Sequence, residues 1–219
     1  MTRYLEQELA GQKQRMIDLD LVARGIRDQA VIRAIREVAR ENFVPDELRY
    51  HAYDDNPLPI EDGQTISQPY IVAYMIEALQ LGGRERVLEI GTGSGYAAAV
   101  LSRCASEVFT VERIPDLAES ARERLARLGY RNVLVHLGDG TLGWPEHAPY
   151  HGIVVTAGAP EVPAGLMEQL AVGGRLVIPV GAVPHLQTLV RVRRADENSF
   201  HREELCAVRF VPLIGEQGW

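Results

Sequence analysis

The sequence is poor in lysine and cysteine. Lys13 is its only lysine, and 30 acidic residues outnumber 23 basic ones, which gives a formal net charge of −7 at pH 7. A chain with this balance lacks the dense positive surface through which proteins hold phosphate backbones, so we expect no nucleic-acid partner. Its two cysteines, Cys104 and Cys206, define no disulfide framework. We therefore expect free thiols and a cytoplasmic protein.

Long apolar runs are also absent. No stretch reaches the roughly 18 consecutive apolar residues that span a bilayer, and residues 1–6 carry two charges where a signal peptide would be apolar. We therefore expect no membrane partner. The composition, with 46% hydrophobic and 24% charged residues, has no break that would separate domains, which predicts a single domain over residues 1–219. We expect this domain to act as a monomer.

What the sequence does contain is a glycine-rich turn between a buried strand and a helix. Bulky apolar residues at 87, 88 and 90 indicate a strand of a parallel sheet, and Gly91, Gly93 and Gly95 follow at alternate positions before an alanine-rich segment. Such a turn directs backbone N–H groups and the positive end of a helix to one point. Glycine also lets a ligand approach the backbone closely. The pattern predicts a nucleotide or nucleoside pocket.

The spacing of the glycines separates two kinds of ligand. A dinucleotide fingerprint, G-x-G-x-x-G, would place its third glycine at position 96, where this chain has Tyr96. Glu89 precedes the turn, so the motif reads E-x-G-x-G-x-G. This motif resembles the first motif of the Rossmann-like methyltransferases, which bind S-adenosylmethionine. A purely structural strand-to-helix turn is the alternative interpretation.

Two further acidic residues follow the next two predicted strands. Glu112 ends the second strand, where a carboxylate can accept hydrogen bonds from ribose hydroxyls. Asp139 lies between Gly138 and Gly140 after the third strand, where a carboxylate can accept from the exocyclic amine of adenine. The alternatives are a helix-start charge for Glu112 and a turn residue for Asp139. Because the carboxyl ends of parallel strands meet at one edge of a sheet, the joint pattern favours a nucleoside pocket.

Alternation of strands and helices predicts the fold class. The pattern indicates helices over residues 4–18, from the N-cap Asp28 onward, and over 69–80, 95–103, 115–128 and 164–171. It indicates strands over residues 86–90, 108–111, 133–135, 153–155, after a turn at Gly173–Gly174, and over 186–194 and 203–212. These elements predict an α/β fold, and the resemblance of the glycine motif implies that it is the Rossmann-like methyltransferase fold. We expect a central, mostly parallel sheet with helices on both faces, an N-terminal helical extension and a β-rich C-terminus.

The segment 42–69 differs from the rest of the chain because it contains prolines at positions 57, 59 and 69. Proline cannot donate to a strand ladder and pushes the preceding residue into an extended conformation, so we expect a long loop. The apolar residues Tyr53, Leu58 and Ile60 argue that this loop is ordered. Loops of this length are usually functional when they are ordered. An alternative interpretation of Ser67 is that it is the N-cap of the following helix.

The chain resembles the protein-L-isoaspartate (D-aspartate) O-methyltransferase family along nearly its whole length. The most specific segment is residues 57–73, which reads PLPIEDGQTISQPYIVA. Matching segments are also found at 87–96, 138–140, 156–160, 173–181 and 208–215. The chain departs from the family pattern at Ala39, Asn42, Glu61 and His151–Gly152. None of these departures affects the glycine loop or Ser67.

The resemblance implies a protein repair enzyme that uses S-adenosylmethionine and leaves S-adenosyl-L-homocysteine. Such an enzyme methylates the free α-carboxylate of L-isoaspartyl residues in damaged proteins and peptides, and the ester then returns to aspartate through a succinimide. In this family pattern Ser67 occupies the position of the active-site serine, where its hydroxyl would orient the acceptor carboxylate. The implied layout places the N-terminal helices and the substrate loop in residues 1–69 and the cofactor-binding core in residues 70–219.

The residue patterns and the resemblance together predict two sets of binding residues and no metal site. The predicted cofactor-binding residues are Glu89, Gly91, Thr92, Gly93, Gly95, Glu112, Asp139 and Gly140. The predicted substrate-binding residues are Thr65, Ile66, Ser67, Gln68, Pro69, Val211, Pro212 and Leu213.

Three other functions remain open at this point. The loop 57–69 argues against a methyltransferase with another acceptor, such as a small carboxylate or hydroxyl. The position of Gly95 argues against an NAD-dependent oxidoreductase. The presence of Glu112, Asp139 and Ser67 argues against a binding module that has kept the fold without activity.

Overall fold

A seven-stranded, mostly parallel sheet forms the centre of the computed structural model, which describes residues 2–183 and 186–219. The strands are β1 Leu58–Pro59, β2 Thr65–Ile66, β3 Arg86–Ile90, β4 Glu107–Glu112, β5 Val133–Leu137, β6 Tyr150–Val155, β7 Leu170–Val183, β8 Leu186–Arg194 and β9 Phe200–Val208. β1 and β2 pair in a small antiparallel ribbon, and the other strands form the sheet in the order β5-β4-β3-β6-β7-β8-β9. β3 to β7 are parallel, whereas β8 and β9 are antiparallel to their neighbours.

Helices cover both faces of this sheet. They are α1 Thr2–Arg15, α2 Gln29–Glu37, α3 Pro69–Leu79, α4 Tyr96–Leu101, α5 Pro115–Arg127 and α6 Ala164–Glu168, and a π-helical segment, Met16–Val22, continues α1. Asp28 caps α2 as predicted, because its carboxylate accepts hydrogen bonds from N–H groups of the first turn. Pro69 takes the first position of α3 after Gln68, so the alternative that Ser67 caps this helix is wrong. Within the described ranges, no helix has both the length and the apolar character needed to cross a membrane.

Successive residues of the central strands point to opposite faces of the sheet and fill two apolar clusters. Val87 packs with the N-terminal helices and with α3, α4 and α5 on one face. Leu88 and Ile90 pack with residues of α6 on the other face. Each face therefore has its own core, which is the Rossmann-like arrangement with an N-terminal helical extension that the sequence predicts.

Several boundaries of the elements differ from the prediction. The turn predicted at Gly173–Gly174 lies inside β7, where an irregularity in the pairing with β6 accommodates the two glycines. The last strand was predicted over 203–212, but it begins and ends earlier. Its first residues, from Phe200 onward, pair with β8. Beyond Val208 the backbone of Phe210 bonds to the side chain of Gln187, so the backbone ladder between the strands has ended. The helices predicted over 95–103 and 164–171 end at Leu101 and Glu168.

The long loop is ordered, as predicted. Residues 42–69 form short 3₁₀ turns and the ribbon of β1 and β2. The side chains of Tyr53, Leu58 and Ile60 are buried in the cluster that contains α3 and α4. Burial of apolar side chains therefore fixes this proline-containing segment against the sheet domain.

Candidate active site

The glycine loop lies at the carboxyl end of β3, where the strand order of the sheet changes direction. β3 has β4 on one side and β6 on the other, and such a switch point leaves a crevice in which α/β proteins bind ligands. Gly91, Gly93 and Gly95 all have positive φ angles, of 94°, 51° and 88°. A Cβ atom at Gly91 would lie 2.4 Å from Oγ1 of Thr156. This turn therefore requires glycine for both its conformation and its close packing.

A cleft of about 340 Å³ opens at this switch point. Its walls include Gly91 and Gly93 of the glycine loop, Glu112 at the end of β4, Gly140 after β5 and Leu213 near the C-terminus. The structure thus brings together the ends of three successive strands, as the predicted nucleoside pocket requires. The other predicted cofactor residues, Glu89, Thr92, Gly95 and Asp139, are not among the residues that line this cleft.

Glu112 is held at the cleft wall by backbone groups. Its Oε2 accepts a hydrogen bond from the N–H of Gly93 at 2.9 Å. Its Oε1 accepts from the N–H groups of Arg113 and Ile114 at 2.8 and 3.0 Å. A carboxylate has about four acceptor positions, and three are used here, so one remains for a hydroxyl of a ligand. The turn between β4 and α5 therefore presents a fixed acceptor to the cleft.

Asp139 joins two loops rather than lining the cleft. Its Oδ1 accepts from the N–H and the hydroxyl of Thr141 at 2.8 and 2.7 Å, and its Oδ2 accepts from the N–H of Glu216 at 2.8 Å. Burial acts to raise the pKa of Asp139, but the hydrogen bonds from Glu216 and Thr141 outweigh it and hold the pKa below its ordinary value of 3.8. These contacts match the alternative of a turn residue, and a contact with adenine stays a prediction.

Glu89 lies near the carboxyl end of β3 and has no exposed surface. Its Oε2 accepts a hydrogen bond of 2.6 Å from the hydroxyl of Thr110. The single proton of that hydroxyl is then committed, so Thr92, whose Oγ1 is 2.6 Å from Oγ1 of Thr110, must donate to it. Burial raises the pKa of Glu89 from 4.5 to about 8, against the opposite effect of the bond from Thr110.

The second oxygen of Glu89, Oε1, is buried and has no hydrogen-bond partner within the described part of the chain. Glu89 shares a small cavity with Ser67 and Tyr96. Buried polar atoms are rarely left unpaired in folded proteins. This side of the glycine loop therefore offers polar atoms that a ligand or a water molecule can satisfy.

A second chamber, of about 660 Å³, adjoins the first. Thr65, Thr156 and Val211 line both of them. Of the predicted substrate residues, Ser67 and Gln68 also line the second chamber, and Pro212 and Leu213 line the first. The side chains of Ile66 and Pro69 are buried and line neither of these two spaces.

Arg40 is a functional candidate that sequence reasoning missed. It is the only charged residue with no exposed surface besides Glu89 in the described ranges. Its Nε donates to the carbonyl oxygen of Ala52 at 2.7 Å, and its Nη1 donates to that of Ser67 at 2.9 Å. Its guanidinium carbon lies 5.0 Å from the ring centroid of Tyr96. Arg40 therefore ties the long loop to the helix that follows the glycine loop. No periodic pattern marks such a residue, because it lies in a short polar stretch after α2.

The C-terminal residues close one side of the cleft. The N–H of Leu213 donates to the carbonyl oxygen of Gly158 at 2.7 Å, and Nε1 of Trp219 donates to the same oxygen at 3.0 Å. The N–H of Gln217 donates to Oγ1 of Thr141 at 3.1 Å. The last residues are thus fastened to the loops that follow β5 and β6.

Comparison with known proteins identifies relatives over the full length of the chain. The family model described as protein-L-isoaspartate(D-aspartate) O-methyltransferase matches residues 11–218. Protein-L-isoaspartate O-methyltransferase 1 of Geotalea uraniireducens is 62% identical over 219 residues, which cover 100% of both chains. Protein-L-isoaspartate O-methyltransferase 2 of Pelobacter propionicus is 66% identical over 204 residues, which cover 93% of this chain and 91% of the relative.

Solved structures have the same fold. A protein-L-isoaspartate O-methyltransferase aligns with a TM-score of 0.83 and 31% identity, over 94% of this chain and 67% of the other. A beta-aspartate methyltransferase from Plasmodium falciparum, solved in complex with S-adenosyl-L-homocysteine, aligns with a TM-score of 0.76 and 26% identity. That alignment covers 93% of this chain and 98% of the other.

Proposed function

Because this chain belongs to the protein-L-isoaspartate(D-aspartate) O-methyltransferase family, we propose that its two adjoining chambers hold the methyl donor and the damaged residue side by side. The chain is a protein repair enzyme that transfers a methyl group from S-adenosylmethionine to L-isoaspartyl residues of proteins and peptides. The shared wall formed by Thr65, Thr156 and Val211 carries this proposal, because the reacting groups have to meet where the chambers join.

The residues around the glycine loop fit S-adenosylmethionine. This cofactor supplies an electrophilic methyl group on a positively charged sulfonium and carries no phosphate. Residues 91–95 contain no lysine or arginine, and the carboxyl groups of Glu89 and Glu112 lie at the loop. We propose that Gly91, Gly93 and Gly140 allow close approach to the backbone and that Glu112 accepts from the ribose hydroxyls.

Ser67 is proposed to orient the acceptor carboxylate. Its carbonyl oxygen is held by Arg40, and its hydroxyl has no hydrogen-bond partner among the residues described. It lines both the large second chamber and the small cavity at the glycine loop. An α-carboxylate with a pKa near ~3.5 is already ionised at neutral pH, so the reaction needs no general base. The contribution of the protein is then mainly orientation, which can lower a barrier by roughly 7–11 kcal/mol.

The first experiment measures methyl transfer from labelled S-adenosylmethionine to paired peptides that differ only in aspartate or isoaspartate. We expect label on the isoaspartyl peptide alone. Label on neither peptide, with intact cofactor binding, would support a methyltransferase with another acceptor.

A second experiment tests Ser67 itself. Ser67→Ala is expected to lower kcat/KM strongly and to leave the Kd of the cofactor unchanged. Ser199→Ala, in the turn between β8 and β9, is the matched control because Ser199 lines neither chamber. Unchanged turnover in Ser67→Ala would remove this serine from the site.

We also propose that the enzyme works as a cytoplasmic monomer without a nucleic-acid or membrane partner. The acidic net charge of −7 and two cysteines that are not bonded to each other support this proposal. Light scattering coupled to gel filtration measures the mass in solution, and a stable dimer would contradict the monomer.

A further inference from the structure

The second chamber has one charged group in its wall. The residues that line it are apolar or neutral, with the exception of Arg209, within the part of the chain that the structure describes. Arg209 follows the end of β9, in the same wall as Val211, and Ser67 lies in the loop that lines this chamber as well. The chamber that receives a carboxylate substrate in the proposed function thus carries a single positive charge.

Arg209 is not engaged by the protein itself. Its side chain is exposed and makes no ion pair or hydrogen bond with any residue in 2–183 or 186–219. Arg191 and Arg86 of the sheet differ in this respect, because Arg191 pairs with Glu203 at 2.5 Å and Arg86 pairs with Glu107 at 3.1 Å. Its guanidinium is therefore available to bind an anionic ligand.

The backbone that carries Arg209 is rigidly held. The next residue, Phe210, donates its N–H to Oε1 of Gln187 at 2.7 Å and accepts from Nε2 of Gln187 at 3.3 Å. Gln187 is only 3% exposed. Two hydrogen bonds to a buried amide therefore fix the backbone from which the arginine side chain extends.

We propose that Arg209 is a specificity-determining residue that recognises the free α-carboxylate of the isoaspartyl residue. This inference rests on the proposed function. Methylation turns that carboxylate into a neutral ester: the new bond joins a carboxylate oxygen to the methyl carbon, and the bond from that carbon to sulfur breaks with its electron pair. Arg209 attracts the charged substrate but has no ionic attraction for the ester, so the same residue favours substrate entry and product release.

The test compares binding of two peptides that differ in one charge. One carries isoaspartate with its free α-carboxylate, and the other carries the same linkage with a neutral α-carboxamide. Both are titrated calorimetrically into the full chain saturated with S-adenosyl-L-homocysteine. We expect the unmodified enzyme to bind the carboxylate peptide about 5- to 10-fold more tightly at low salt, as for a partly exposed charge-assisted pair. Because the pair is exposed, this preference should fall as ionic strength rises.

Variants at position 209 separate charge from geometry. Arg209→Gln should remove the preference between the two peptides and raise KM with little change in kcat. Arg209→Lys should retain part of the preference, because lysine keeps the charge but cannot form a bidentate pair. Arg202→Gln is the matched control, since Arg202 is an exposed arginine of β9 that lines neither chamber.

Two outcomes would overturn the inference. In the first, Arg209→Gln weakens the binding of both peptides equally, which would mean that Arg209 binds another part of the peptide. In the second, Arg202→Gln reduces the preference as much as Arg209→Gln does, which would mean that only net charge matters. Methyl transfer by the unmodified enzyme tests the proposed function separately, so the failure of one does not imply the failure of the other.

Discussion

Replacement of Glu89 by glutamine should make the stability of the protein less dependent on pH. Glu89 is fully buried, and burial raises its pKa from 4.5 to about 8. The folded state therefore holds a proton at this site at pH values where the unfolded state has lost it. By linkage, this group costs nothing well below pH 4.5, its cost grows as the pH rises from 4.5 to 8, and the cost is constant above pH 8.

The size of the effect follows from the two pKa values. Each tenfold difference in proton affinity corresponds to about 1.4 kcal/mol, so the change from 4.5 to about 8 gives a cost of about 5 kcal/mol above pH 8 and about 3 kcal/mol at pH 7. Glu89→Gln carries no such cost, because glutamine does not ionise. Its amide oxygen can still accept the hydroxyl of Thr110, as Oε2 does now. The amide NH₂ of the glutamine would occupy the position of Oε1, which has no hydrogen-bond partner. The unpaired NH₂ lowers the free energy of unfolding by an amount that does not change with pH.

Urea denaturation from pH 5 to pH 9 measures this difference. The free energy of unfolding of Glu89→Gln, relative to the unmodified protein, should rise by about 4 kcal/mol over that range. Glu123→Gln is the control, because Glu123 is an exposed residue of α5. If the free energy of unfolding of Glu89→Gln and of the unmodified protein changed with pH in parallel, the reasoning would be refuted. That result would mean that Glu89 has an ordinary pKa in the folded protein.

Three further variants test the other contacts of the site. Arg40→Lys keeps the charge but cannot reach the carbonyl oxygens of both Ala52 and Ser67, so we expect a loss of about 2–4 kcal/mol in urea denaturation and a raised KM for the peptide; full stability would contradict the anchoring role. Glu112→Ala should weaken cofactor binding about 10- to 100-fold in calorimetry, as expected for the loss of one or two hydrogen bonds to a charged acceptor, and an unchanged Kd would exclude the ribose contact. Gly91→Ala adds a Cβ atom 2.4 Å from the Thr156 hydroxyl at a φ of 94°, which should cost at least about 2 kcal/mol and abolish cofactor binding; a variant that folds and binds normally would contradict the close packing.

The glycine loop and β3 show which features can be predicted from residues that are neighbours in the sequence. The apolar run of β3, the glycines after it and the capping residue Asp28 are found where they were predicted. Each depends on residues within a few positions of one another, and backbone conformation responds to such neighbours directly. The predicted ends of strands and helices were less accurate, because edge strands such as β9 are defined by pairing with β8 rather than by an apolar pattern.

Asp139 illustrates a contact that could not be predicted from the sequence. Its position after β5 is predicted correctly. Its carboxylate, however, accepts a hydrogen bond from the backbone of Glu216, which is 77 positions away in the chain. The link between Arg40 and Ser67 likewise spans 27 positions. Neither contact leaves a periodic signal, since each joins one polar side chain to one backbone group of another segment.

The sequence by itself determined the fold class, the glycine loop, the family and hence the methyl donor and the substrate class. These properties follow from hydrophobic periodicity, from glycine conformation and from motifs of adjacent residues. All of these depend on residues that are close together in the sequence. Only the tertiary structure decided that two chambers share a wall, that buried Arg40 holds the loop that contains Ser67, and that Arg209 is the single charged residue in the wall of the second chamber among the residues that the structure describes. The physical reason is that burial, pairing and charge environment depend on which distant segments pack together, and packing is a property of the folded chain as a whole.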